Sequence, residues 1–217
     1  MTGGNEGKEV EKAQPVRQRR AALWPLAVGL TVASVALSLP PLRRLIEQSM
    51  VWHMVVQLPL LMLAGWACAQ AASATGSRRP QPAEAPQRLS SWNQFGLTGG
   101  VAVLVTTAYW MLPSSIDRAL VVPAVDAFKL VSLWFGGALL WRSAQRAPWV
   151  VQLFFVGTAL PMWVWAGLYF AAADLRLCNA YSLDSQIAAG RGLATLAVLL
   201  AAWWAARVVL LTRLSLR

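Results

Sequence analysis

The side chains best equipped for chemistry in this 217-residue chain begin at Met50. Met50, His53, Met54 and Gln57 are spaced i, i+3, i+4 and i+7, which places them on one face of a helix. His53 is the sole histidine of the sequence. Imidazole, thioether and thiolate are soft or borderline donors, so together they suit Cu(I) better than a hard cation. The expected ligand set is His53, Met50, Met54, Met111 and Cys178. The plain alternative is a helix end in which methionines fill gaps and the imidazole is simply hydrogen-bonded.

A second signal is Asp126 with Lys129. The two lie three residues apart inside an apolar run, where they can neutralise each other on one helical face. Ionisable groups within a membrane are costly and point first to function. A structural ion pair, with Lys129 extending toward the interface, is the competing account. Asp117 and Asp184, in the turns on either side, complete the polar residues of interest.

These groups must be positioned by membrane helices. The chain is 57% hydrophobic and 13% charged, against about 25% charged residues in an ordinary soluble domain. Its twelve tryptophans fit the affinity of indole for the bilayer interface. Six apolar stretches approach the roughly 20 residues needed to cross hydrocarbon: about 22–39, 50–72, 95–112, 119–141, 149–173 and 192–212. The expectation is an all-α polytopic bundle in one unit, residues 21–217. A disordered cytoplasmic tail covers 1–20, and a Pro/Ala-rich cytoplasmic linker covers 73–92. The first stretch could be a signal peptide, but its long polar lead and the length of its apolar run favour a retained helix.

Arginine and lysine set the orientation. Lys8, Lys12, Arg17, Arg19 and Arg20 precede the first stretch. Arg78, Arg79 and Arg88 follow the second, Arg142 and Arg146 the fourth, and Arg207, Arg213 and Arg217 close the chain. The alternate loops are nearly balanced, as in Arg43 and Arg44 with Glu47. The positive-inside rule then puts both termini in the cytoplasm. His53, Met111, Asp117, Cys178 and Asp184 come to the opposite, periplasmic side, in a bacterial inner membrane. Cys68 falls about a bilayer thickness from Cys178, too far for a disulfide. The net charge of +10 comes from short clusters between apolar runs and not from a basic groove, which excludes nucleic-acid binding. Phosphate-binding loops and metalloprotease motifs are absent. No nucleophile–base–orienter set is present either, so an enzyme is not expected.

The run "HMVVQLPLLMLAGW", residues 53–66, resembles the His-Met-x-x-His-Leu-Leu-Leu segment of the CtaG family of cytochrome c oxidase assembly factors. Trp92-Asn93 and the stretch from Trp110 to Asp117 are compatible with it. The resemblance implies a polytopic membrane protein tied to copper-site assembly in the respiratory chain, with oxidase subunits as partners. Position 57 is Gln where the family pattern has a second histidine, so a multi-histidine site is excluded. Two further readings stand beside this one. One is a small transporter or channel using Asp126 and Lys129, with Pro161 opening backbone groups to a cavity. The other is a non-catalytic accessory subunit that packs through small residues such as Gly99-Gly100 and Gly136-Gly137.

Overall fold

The computed structural model describes residues 23–40, 42–76 and 92–215, and every described element is helical. The expected tail, 1–20, lies outside the described residues. Of the expected linker, residues 73–76 continue a helix and 77–91 lie outside the described residues.

The elements are α1 (Leu23–Ala36), α2 (Leu42–Glu47), a π-helical turn (Trp52–Gln57) running into α3 (Leu58–Gly76), and a short 3-10 turn (Gln94–Gly96). They continue with α4 (Leu97–Trp110), α5 (Pro113–Val121), α6 (Pro123–Arg146), α7 (Trp149–Ala172) and α8 (Leu183–Ser215). Four helices are long and apolar enough to cross a membrane, or five if α4 and α5, bent by 74° to each other, count as one broken span. α1 is apolar but shorter than such a span.

Local sequence explains where these elements depart from expectation. Pro113 and Pro123 each sit at a helix start, where the missing N–H costs nothing and the fixed φ is already helical. A stretch read as one span from 119 to 141 is therefore two helices meeting at Val122. α8 begins at Leu183, nine residues before the expected 192. The Ser182 hydroxyl accepts a hydrogen bond from the Ser185 amide at 3.2 Å, which caps the first turn. Asp184 and Gln186 thus belong to a helix start and not to a loop. The π turn precedes Pro59, whose ring nitrogen cannot donate back to Val55. The Leu58 amide reaches instead to the His53 carbonyl, the wider i→i+5 ring.

α3 is the central helix. Half of its most apolar stretch is buried in the bundle, against 11% for α7 and for α8, whose outer faces carry Phe154, Trp165, Leu199 and Trp203. α3 crosses α6 at very close range. A Cβ added at Gly65 would strike the Trp134 carbonyl, and one at Gly137 would strike that of Met62. α1 lies along the later part of α3, with Ala27 against Ala67 and Ala71 and Thr31 Oγ1 3.4 Å from Cys68 Sγ. α7 and α8 form a tight hairpin through Gly167 and Gly190, each facing the other's carbonyl. That hairpin meets the rest of the bundle mainly at the π turn and α4.

Small residues are what let these backbones approach without a hydrophobic driving force between helices. Gly136, by contrast, has nothing within 4 Å of an added Cβ. Gly137→Ala should therefore lower thermal stability in detergent by about 1–3 kcal/mol, while Gly136→Ala should be neutral or slightly stabilising. Thermal unfolding of the two variants side by side makes the comparison.

Candidate functional site

The start of α3, the short helix α5, the start of α6 and the 173–182 loop meet at one end of the bundle. Met50, Met54, Ile116, Phe170, Cys178, Tyr181 and Ala189 pack there as one buried cluster. His53 is fully buried beside it, its ring centroid 6.3 Å from that of Tyr181. The Met50 amide donates to Ser185 Oγ at 2.7 Å, which ties the start of this segment to α8.

Of the expected ligand set, Met50, Met54 and Cys178 share one buried cluster, and His53 lies next to its Tyr181. Met111 stands one step away, bordering a small cavity of about 50 Å³ that Met54 also lines. Gln57 turns elsewhere: its Nε2 donates to Ser38 Oγ at 3.0 Å. Asp117 organises the loop, its Oδ2 accepting from the Asn179 backbone N–H at 3.0 Å and side-chain Nδ2 at 3.2 Å. Asp184 is exposed in the first turn of α8 and makes no ion pair with Arg176 among the described residues. Gln186 is the loop's main tie, accepting from the Leu177 amide at 2.7 Å and donating to the Phe170 and Leu175 carbonyls. Cys68 and Cys178 are both free thiols.

An ionic chain runs into the same end. Glu47 Oε1 accepts from Arg43 Nε at 2.6 Å, and an Arg43 terminal nitrogen lies 3.2 Å from Asp126 Oδ2. Asp126 Oδ1 lies 2.7 Å from Lys129 Nζ, whose side chain is 1% exposed. Lys129 Nζ in turn lies 3.4 Å from His53 Nε2. The i, i+3 spacing signalled the Asp126–Lys129 contact. Arg43 and Glu47 were read only as charges of a nearly balanced loop, because charges in a connector look solvated. The sign available in sequence was their i, i+4 spacing.

Several polar atoms here are buried without a hydrogen-bond partner: His53 Nδ1, Gln57 Oε1, Asp117 Oδ1 and the Tyr181 hydroxyl. With Lys129 charged, Nε2 accepts from the ammonium and the ring proton sits on Nδ1. Outside the spans, burial and then the nearby Asp117 carboxylate push the Cys178 thiol up to about 12. Burial raises Tyr181 as well, with Glu47 adding to it. The hydrogen bond that Arg43 donates to Glu47 raises the guanidinium pKa against the effect of its own burial.

Among the described residues, no three of His, Cys, Asp and Glu converge to hold a metal ion. Cation binding here would depend on the thioethers. Their chemistry fits a soft monovalent ion: Met50, Met54 and neutral imidazole are uncharged donors, and the Cys178 thiol stays protonated. A cation taking His53 Nε2 would have to displace the Lys129 ammonium, leaving Lys129 on Asp126.

The chain matches no family model, no curated protein and no solved structure. The site is argued from its own residues.

Two outcomes follow from this geometry. Asp126→Asn leaves a buried ammonium without its carboxylate and should cost about 3–5 kcal/mol, while the double change Asp126→Leu with Lys129→Met should recover most of that loss. Denaturation of the three proteins in the same detergent measures it. In a Cys68→Ser background, Cys178 should react with iodoacetamide roughly a thousandfold more slowly at pH 8 than a free thiol does, because the thiolate is the nucleophile. A rate near that of free cysteine would contradict the burial.

Proposed function

We propose that this chain is a non-catalytic assembly factor of the bacterial inner membrane that handles Cu(I) for cytochrome c oxidase. It would act on the periplasmic side, with six crossings and both termini cytoplasmic. The observation that carries this reading is the convergence of Met50 and Met54 with Cys178, drawn from distant parts of the chain, beside the one imidazole. The arginine asymmetry supports the orientation, and the likeness of residues 53–66 to the assembly-factor segment supports the oxidase as recipient. His53, Met50 and Met54 would hold the ion, with Met111 and Cys178 at the border. Such a site supplies soft, uncharged ligation. An ion taking Nε2 would compete with Lys129 and so be held loosely, as a protein that passes copper on requires.

A transporter or channel is the second reading, favoured by the chain Glu47–Arg43–Asp126–Lys129–His53. Charged groups so linked inside a bundle are typical of ion pathways. The ion pairs are already mutually satisfied, which favours the first reading.

Competition with a chromogenic Cu(I) chelator in detergent tests the metal. Wild type should take one equivalent, Met50→Leu with Met54→Leu should lose it, and Lys129→Gln should bind at least about tenfold more tightly, since a competing cation is gone. Wild type and Lys129→Gln both failing to bind would remove copper from the account. A normal oxidase spectrum in cells lacking the gene would remove the assembly role. Proteoliposome flux that is lost in Asp126→Asn would favour the second reading.

A further inference from the structure

His53 is fully buried, so whatever reaches its ring can enter only when part of the surrounding structure moves. The elements at that end of the bundle are fastened very unequally. The 173–182 loop is held from both sides: Asn179 donates twice to Asp117, and Gln186 makes three hydrogen bonds to the loop and to Phe170. The segment that carries His53 is tied to α8 through Met50 and Ser185. α6 is locked to α3 at backbone distance by Gly65 and Gly137.

α2 is different. It is six residues long, too short to keep a helical shape by itself. It packs mainly against the π turn that carries His53. Leu42 and Leu45 face outward, so apolar burial adds little. Among its described side chains, the one ion pair or hydrogen bond to another helix is that of Arg43 with Asp126, at 3.2 Å. The Arg43 side chain is 24% exposed, so water and salt reach this contact and weaken it. Breaking it strands no charge. Arg43 keeps Glu47, and Asp126 keeps Lys129 through its other oxygen. Breaking Asp126–Lys129 instead would leave a buried ammonium alone. The ionic chain thus has one weak link, and that link is where α2 joins α6.

We propose that α2 is a gate over the His53 pocket, latched by Arg43 on Asp126. Helical structure is interrupted on both sides of it, in the turn at 37–40 and again at Ser49. Gln57 pins the first of these through Ser38, which leaves α2 itself to move. With the latch open, water and small solutes reach Lys129 and His53 while the rest of the bundle stays packed. The gate rests on the His53 pocket being the working site, whatever its occupant.

The test modifies His53, the sole histidine, with diethyl pyrocarbonate in neutral detergent, and follows its peptide by mass spectrometry. No metal enters, so this result and the copper titration can fail separately. Wild type should react slowly, and Arg43→Gln about fivefold faster, the shift in open population that loss of one partly exposed ion pair brings. Raising salt from about 50 to 500 mM should speed wild type and leave Arg43→Gln unchanged. Gln186→Ala, which loosens the 173–182 loop, and Gly137→Ala, which loosens the α3–α6 crossing, should each stay near the wild-type rate. If Arg43→Gln does not fold, the salt dependence of wild type decides. Equal rates in wild type and Arg43→Gln, or a wild-type rate indifferent to salt, overturn the proposal. So does Gln186→Ala or Gly137→Ala reacting as fast as Arg43→Gln, which would place the entrance at the loop or in opening of the whole bundle.

Discussion

A buried ammonium governs one end of this molecule. Lys129 sits in an apolar helix with almost no exposure, where an unpaired charge is not tolerated. It therefore requires Asp126, and Asp126 draws in Arg43 from α2, which is held in turn by Glu47. That sequence of needs fixes α2 against α6. Lys129 also faces the imidazole of His53, which binds α6 to the start of α3. The position of the histidine is thus a consequence of charge neutralisation as much as of packing.

Backbone irregularity does the rest of the positioning. Pro59 deprives the preceding turn of one donor, and the helix widens at the residues that carry the histidine and Met54. π turns occur often where a side chain must be aimed. Pro113 and Pro123 cut what would be continuous helix into a bent segment, α5, that brings Asp117 to the 173–182 loop. Gln186 then fastens that loop from α8. Each device acts at a helix end, and all of them act at the same end of the bundle.

Much of this was legible in the sequence. The membrane-helix class follows from long apolar runs, and α7 matches its expected bounds within a residue. The 3.6-residue period brought Met50, His53 and Met54 to one face, and arginine asymmetry put Cys178 on the same side. The packed cluster joins Met50 and Met54 to Cys178. The Asp126–Lys129 contact was visible because its spacing is local. The contact of Arg43 with Asp126 was not legible because the two lie 83 positions apart, and pairwise contact at that range leaves no periodic trace. Gln57 shares a helical face with His53, but the π turn rotates it toward Ser38, a rotation that ideal helical geometry does not anticipate.

The glycine contact between Gly167 and Gly190 has a bearing on how the bundle is put together. It lets α7 and α8 close on each other at backbone distance while touching the earlier helices thinly. These two segments can thus pair with each other as a hairpin that docks sideways onto a scaffold of α3, α4 and α6.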